Sequence, residues 1–175
     1  SGGRYHVFTL ALSLIRSGFK VTLITNNIPV FYDDFADYDE LAHLDIDLVK
    51  SFSSKNLSKS FDLIILVPGL DGYNNSEMYK LSVAYKKLFS SRVMLLNFES
   101  PNWFNQYSKK PRPDYLWAGW RFVARRSDAI LSITKESLKY AREYYEVEQD
   151  RHFYCYPSIN GKACDAVGNL PREKA

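Results

Sequence analysis

The chain has 175 residues, 46% hydrophobic and 25% charged, the composition of an ordinary globular protein with enough mass for a real core. A net charge of +3 is too small to argue for a nucleic-acid partner. No apolar run approaches the roughly 18 residues a membrane-spanning helix needs, and no signal-peptide pattern is visible. Cys155 and Cys164 lack C-x-x-C spacing, and two cysteines in a chain of this size suit a reducing compartment. Charge is unevenly spread: residues 1–108 carry 10 basic and 11 acidic side chains, and residues 109–175 carry 13 and 9. The basic second half admits a phosphate-bearing or membrane-surface partner, although a solvated surface is the plainer reading.

In chain order, Ser1-Gly2-Gly3 reads as a glycine loop before an amphipathic helix, with Val7, Leu10, Ala11, Leu14 and Ile15 as its apolar stripe. Gly18 stands where a left-handed cap should end that helix. Val21–Thr25 is β-branched and apolar, a short strand. Asn26–Pro29 is a turn. Phe31–Leu44 mixes aromatics with Asp33, Asp34, Asp37, Asp39 and Glu40, and without the glycine of a calcium loop it reads as a solvated acidic face. Ile46–Val49 is a short strand and 51–60 a polar connector. Phe61–Val67, apolar apart from Asp62, is closed by Pro68-Gly69, the habit of a strand buried on both faces of a parallel sheet. Leu70–Asn75 reads as a loop. Ser76 then reads as the N-cap of a helix with Met78, Leu81, Ala84, Tyr85, Leu88 and Phe89 inward. Arg92–Phe98 is a strand, followed by a Pro-punctuated loop. Tyr115–Arg126 is a helix with Trp117, Trp120, Val123 and Ala124 inward. Ala129–Ile133 is a strand, and Thr134 caps a helix carrying Leu138, Ala141 and Tyr145 on one side. Phe153–Tyr156 is a last strand. Strand and helix alternate throughout, which predicts an α/β fold: a Rossmann-like, doubly wound parallel sheet with helices on both faces. Ligands of such sheets gather at the carboxyl ends of the strands.

The order of motifs resembles the N-terminal half of the retaining, nucleotide-sugar-dependent GT-B glycosyltransferases (group 1, family 4-like). The residues that carry the resemblance are Gly2-Gly3, His6-Val7, Leu10-Ala11, Leu14, Ser17-Gly18-Phe19 and Val21-Thr22. Further matches are Phe61-Asp62-Leu63-Ile64, Ser127–Thr134 with Glu136-Ser137, and Tyr156-Pro157-Ser158-Ile159-Asn160. Each motif is loose, and the resemblance covers nearly the whole chain. It implies that residues 1–160 form the acceptor-side domain of a two-domain enzyme, with 161–175 leading toward a C-terminal domain that holds most of the donor. The expected reaction is transfer of a hexosyl group from a nucleotide sugar to a hydroxyl of a saccharide or lipid-linked acceptor, needing neither metal nor other cofactor. A cytoplasmic protein, with peripheral contact at the inner membrane face admitted, is the expected setting. The opening inside what reads as a loop, without the family's first strand, and the polar close at Asn169–Ala175 are expected of a piece of a longer chain.

For single residues, the resemblance assigns the donor diphosphate to Gly2 and Gly3, whose backbone N–H groups suit an anion at a helix start; a plain turn is the other reading. Acceptor contacts fall to Arg4, His6, Asn102, Trp103 and Thr134. Each has a second reading: a solvated arginine, an exposed histidine, loop residues packing a lid or core, and an N-cap. Where the family usually places a histidine, this chain has Glu99. A glutamate there could accept a hydrogen bond from a sugar hydroxyl or act as a catalytic base, or be an ion-paired loop residue. Arg121, Arg125 and Arg126 crowd one helix end, where cations complement the dipole. Two other readings stay open: a non-catalytic Rossmann-like module for a small anion, and part of a nucleotide-sugar epimerase.

Overall fold

The computed structural model describes residues 2–28, 32–50, 59–67, 72–97 and 114–156. Its described residues make a mixed α/β structure in two units, one up to residue 49 and one from residue 50 to 156. Each unit carries a sheet, and every strand pair is parallel.

In the first unit, α1 (Gly2–Arg16) leads into β1 (Val21–Thr25), which pairs with β2 (Leu44–Leu48), Val21 opposite Leu44 and Thr25 opposite Leu48. The helix begins at Gly2, so the diglycine expected as a loop is part of the first helical turn. The stripe is also rotated from the expected one. Phe8, Ala11 and Leu12 are buried, while Val7, Leu10, Leu14 and Ile15 are half-buried. The reason lies in the acidic stretch. Two short 3-10 turns, Tyr32–Phe35 and Asp39–His43, bring Phe35 down to 1% exposure. Its ring stacks on Phe8 at 5.5 Å, with Tyr5 and Tyr38 beside it at 5.2 and 5.8 Å. Aromatic burial thus outweighs the local acidity, while Asp37 and Asp39 stay exposed and Glu40 pairs with Arg16.

Helix α1 ends as its sequence predicts. Gly18 has φ +86°, its N–H donates to the Ile15 carbonyl at 2.9 Å, and the Phe19 N–H donates to Leu14 at 3.1 Å, a Schellman closure. A Cβ added to Gly18 would meet nothing within 4 Å, so Gly18→Ala costs only the left-handed strain. We expect a loss of about 1–2 kcal/mol, with Gly18→Asn costing less. Thermal unfolding of the two variants checks it.

In the second unit the strands run β3 (Leu63–Leu66), β4 (Arg92–Asn97), β5 (Ala129–Ser132) and β6 (His152–Tyr154), side by side in that order. Between them come α2 (Gly72–Phe89), α3 (Asp114–Arg126) and α4 (Lys135–Tyr144). Leu66, Val93, Leu95, Trp120, Val123, Ala124, Ile130, Ala141, Tyr145 and Val147 form one core. Helix α2 starts at Gly72, four residues before the expected cap, which leaves Ser76 inside the helix. Its inner face holds Leu81, Ser82 and Tyr85, while Leu88 is 64% exposed. Ser82 is tolerated there because its hydroxyl donates to the Tyr79 carbonyl at 2.7 Å. Helix α3 closes as its charges predict: Arg126 donates to the Phe122 carbonyl at 3.2 Å and lies 3.7 Å over the Phe122 ring.

At the amino end of β4, Asp128 accepts hydrogen bonds from the Val93 N–H (2.8 Å) and Lys86 (2.7 Å), with Arg92 at 3.8 Å. Burial alone would raise this carboxyl. The Lys86 and Val93 bonds and the two cationic charges outweigh it, and it titrates below the ordinary carboxylate value. A depressed folded value means stability that is full above the unfolded pKa of about 4 and is lost as pH falls through the folded one. Asp128→Asn should therefore flatten the stability curve below about pH 4, as measured by urea unfolding across that range; an unchanged slope would refute this.

Candidate functional site

The carboxyl ends of β4 and β5 are the ligand-facing rim of a parallel sheet, and the structure builds them around Asn97. The apolar strand ends on this residue, which is paired with Ser132 in the sheet register and has no exposure to solvent. Its Nδ2 donates to Ser132 Oγ and to the Ser137 carbonyl, both at 3.0 Å. Its Oδ1 accepts from the Tyr145 hydroxyl at 3.1 Å. Its backbone carbonyl lies 3.1 Å from Ser137 Oγ and accepts from the Ile133 N–H at 3.3 Å. One amide side chain thereby joins the ends of two strands to both the first turn and the C-cap of α4.

Thr134 is the N-cap of α4, as its sequence predicts. Its Oγ1 accepts from the Ser137 N–H at 3.0 Å and lies 2.8 Å from Ser137 Oγ, while its own N–H reaches Ser137 Oγ at 3.3 Å. This is a capping box in which serine replaces the usual glutamate. The threonine is exposed at the rim, and its capped hydroxyl retains acceptor capacity. Burial, reinforced by Tyr140 and opposed by Arg121, pushes the Tyr145 phenol far above its ordinary value. It is therefore a neutral hydrogen-bond donor at any working pH and serves to position Asn97 rather than to move protons.

Of the residues singled out in the sequence, Thr134 falls on this rim. Gly2 and Gly3 lie in the first turn of α1, in the other unit, where N–H groups have no intrahelical acceptor. The anion-binding reading thus passes from a loop to a helix start. His6 is half-buried on α1, with its carbonyl accepting from Thr9 Oγ1 at 3.1 Å and its ring edge-on to Tyr5 at 6.2 Å. The Arg4 side chain, Glu99, Asn102 and Trp103 lie outside the described residues. The sequence names Ser132 and Ser137 only as parts of the resembling motif and Tyr145 only as an inward side chain of its helix, and it gives Asn97 no role. The signal available for Asn97 was a lone amide closing an apolar run, since a buried amide must find partners. Among the described residues no group of His, Cys, Asp and Glu side chains converges to hold a metal ion, and no helix is long and apolar enough to cross a membrane. Comparison with protein-family models, with characterised proteins and with solved structures finds no match to this chain.

Proposed function

We propose that the chain is the acceptor-side domain of a GT-B-type glycosyltransferase, its sheets belonging to a Rossmann-like, doubly wound α/β fold. The observation that carries the reading is the position of the Ser127–Ser137 motif. It runs through β5 into a capped helix at the carboxyl rim of an all-parallel sheet, where ligands of such folds collect. The order of the remaining motifs along alternating strands and helices supports the same assignment.

In this reading a nucleotide sugar donates a hexosyl group to a hydroxyl of a saccharide or lipid-linked acceptor. The first-turn N–H groups of Gly2 and Gly3 stabilise the leaving diphosphate through the helix dipole, in place of a metal. Thr134 contacts an acceptor hydroxyl, the resemblance adds Asn102 and Trp103 as acceptor residues of the same unit, and Glu99 accepts a hydrogen bond or proton from the reacting hydroxyl. The second, nucleotide-binding domain is the partner, and peripheral contact with an inner membrane face suits a lipid-linked acceptor.

The test is made on the full natural reading frame. The purified protein is incubated with a panel of nucleotide sugars, with and without saccharide acceptors, and nucleoside diphosphate release is followed. Acceptor-dependent release is expected, with Glu99→Gln lowering kcat by about 10²-fold or more. Binding of nucleotide sugar without any release would instead favour a non-catalytic anion-binding module. Absence of both would end the proposal.

A further inference from the structure

Helix α4 presents a second feature, on the side turned away from the core. Lys135, Lys139 and Arg142 follow one another at i, i+4 and i+7, the spacing of a single helical stripe. Together with Leu138 and Glu143 they line an open pocket of about 340 Å³. None of the three cations has an ion pair among the described residues. Lys80, Lys86, Arg92, Arg125 and Arg151 of the same unit each face a carboxylate, while Lys87, Arg121 and Arg126 show no ion pair among the described residues either. Three like charges on one stripe repel one another, and Glu136 and Glu143, at i−3 and i+4 to Lys139, offset only part of that repulsion. An anion would relieve that repulsion.

We propose that this face of α4 binds a phosphorylated polyol, the phosphate on Lys135, Lys139 and Arg142 and the hydroxyls on Glu143. A phosphate monoester offers three acceptor oxygens, and a guanidinium can take two of them at once. Lys135 lies at the first turn of the helix, where the dipole adds to the attraction. Glu143 stands beside the Tyr144 hydroxyl. It selects against an extended polyanion by repulsion and accepts hydrogen bonds from hydroxyl groups. Leu138 supplies an apolar wall for the carbon skeleton. The same chemistry is offered by a soluble polyol phosphate and by the glycerol-phosphate headgroup of an anionic lipid.

The experiment uses the full chain at low ionic strength, because exposed charges are screened at high salt. Glycerol 3-phosphate is titrated while backbone amides are followed by NMR, with glycerol as the uncharged control. Shifts confined to residues 135–143 are expected, each lost cation weakening binding about fivefold in Lys139→Gln and Arg142→Gln. Lys87→Gln, an exposed lysine on another helix, should leave binding unchanged. Cosedimentation with phosphatidylglycerol-containing vesicles, but not with pure phosphatidylcholine, and its loss in the Lys139→Gln variant would assign the headgroup. Binding of glycerol 3-phosphate without cosedimentation would assign a soluble ligand. The proposal is overturned by shifts scattered over the surface, by equal weakening in Lys87→Gln and Lys139→Gln, or by no response in either arm.

Discussion

Trp120→Ala is expected to lower the unfolding free energy by about 3–5 kcal/mol, the usual cost of emptying a buried aromatic site. Trp120 has no solvent exposure and belongs to the core of the second unit, with residues of β3, β4, β5 and α4. The cost has two parts, the apolar area returned to water and the cavity that close-packed neighbours only partly fill. The contrast lies two residues away on the same helix. Phe122 is 45% exposed, packs edge-on against Tyr79 at 5.1 Å and carries Arg126 on its face. Phe122→Ala should cost about 1 kcal/mol, because nearly half of its surface already meets water. Urea unfolding of both variants decides the matter. Trp120→Ala should move the midpoint strongly at unchanged m-value, and equal shifts for the two would show that the core does not centre on Trp120.

Asn97→Leu is expected to cost about 2–4 kcal/mol, although leucine is apolar and of similar size. The substitution leaves the Tyr145 hydroxyl without its acceptor and takes a donor from the Ser132 hydroxyl and the Ser137 carbonyl, in a place that water does not reach. An unsatisfied buried polar group costs more than a made hydrogen bond gains. Tyr145→Phe removes only one bond and should cost about 1–2 kcal/mol. In the double variant Asn97→Leu with Tyr145→Phe the combined loss should fall short of the sum, since the orphaned hydroxyl is gone. Strict additivity in that cycle would refute the Asn97–Tyr145 bond. The same network fixes the rim on which Thr134 sits, so the catalytic proposal depends on it as well. Under the proposed function, Asn97→Leu in the full natural reading frame should impair acceptor-dependent turnover even under conditions where the fold survives.

Much of the element order was legible in the residues. Val21–Thr25 is a strand over those five residues, and the β-branched, apolar runs at 63–66, 92–97 and 129–132 are strands. Gly18 ends α1 with positive φ, and Thr134 caps α4. These features are local. A glycine without a Cβ, a hydroxyl three residues from a free N–H and a run of branched side chains each act within a few residues.

Other features depended on neighbours distant in the sequence. The acidic stretch from Asp33 to Glu40 buries Phe35 because Tyr5 and Phe8 of α1 and the nearby Tyr38 offer it ring faces. On α2, Ser82 is buried and Leu88 exposed because what packs on a helix decides which side, and how much of its length, is covered. The diglycine is helical rather than looped, since a helix can begin as soon as its first N–H groups find water or a ligand in place of an acceptor.

The sequence by itself determined the alternating strands and helices, the parallel habit of the apolar strands and the two helix ends where a single residue carries the geometry. Only the tertiary structure decided which polar residues turn inward. Asn97, Ser132, Ser137 and Tyr145 come from three elements and become one network by meeting at the end of a sheet. Their buried hydrogen bonds depend on that meeting, and no local pattern encodes it.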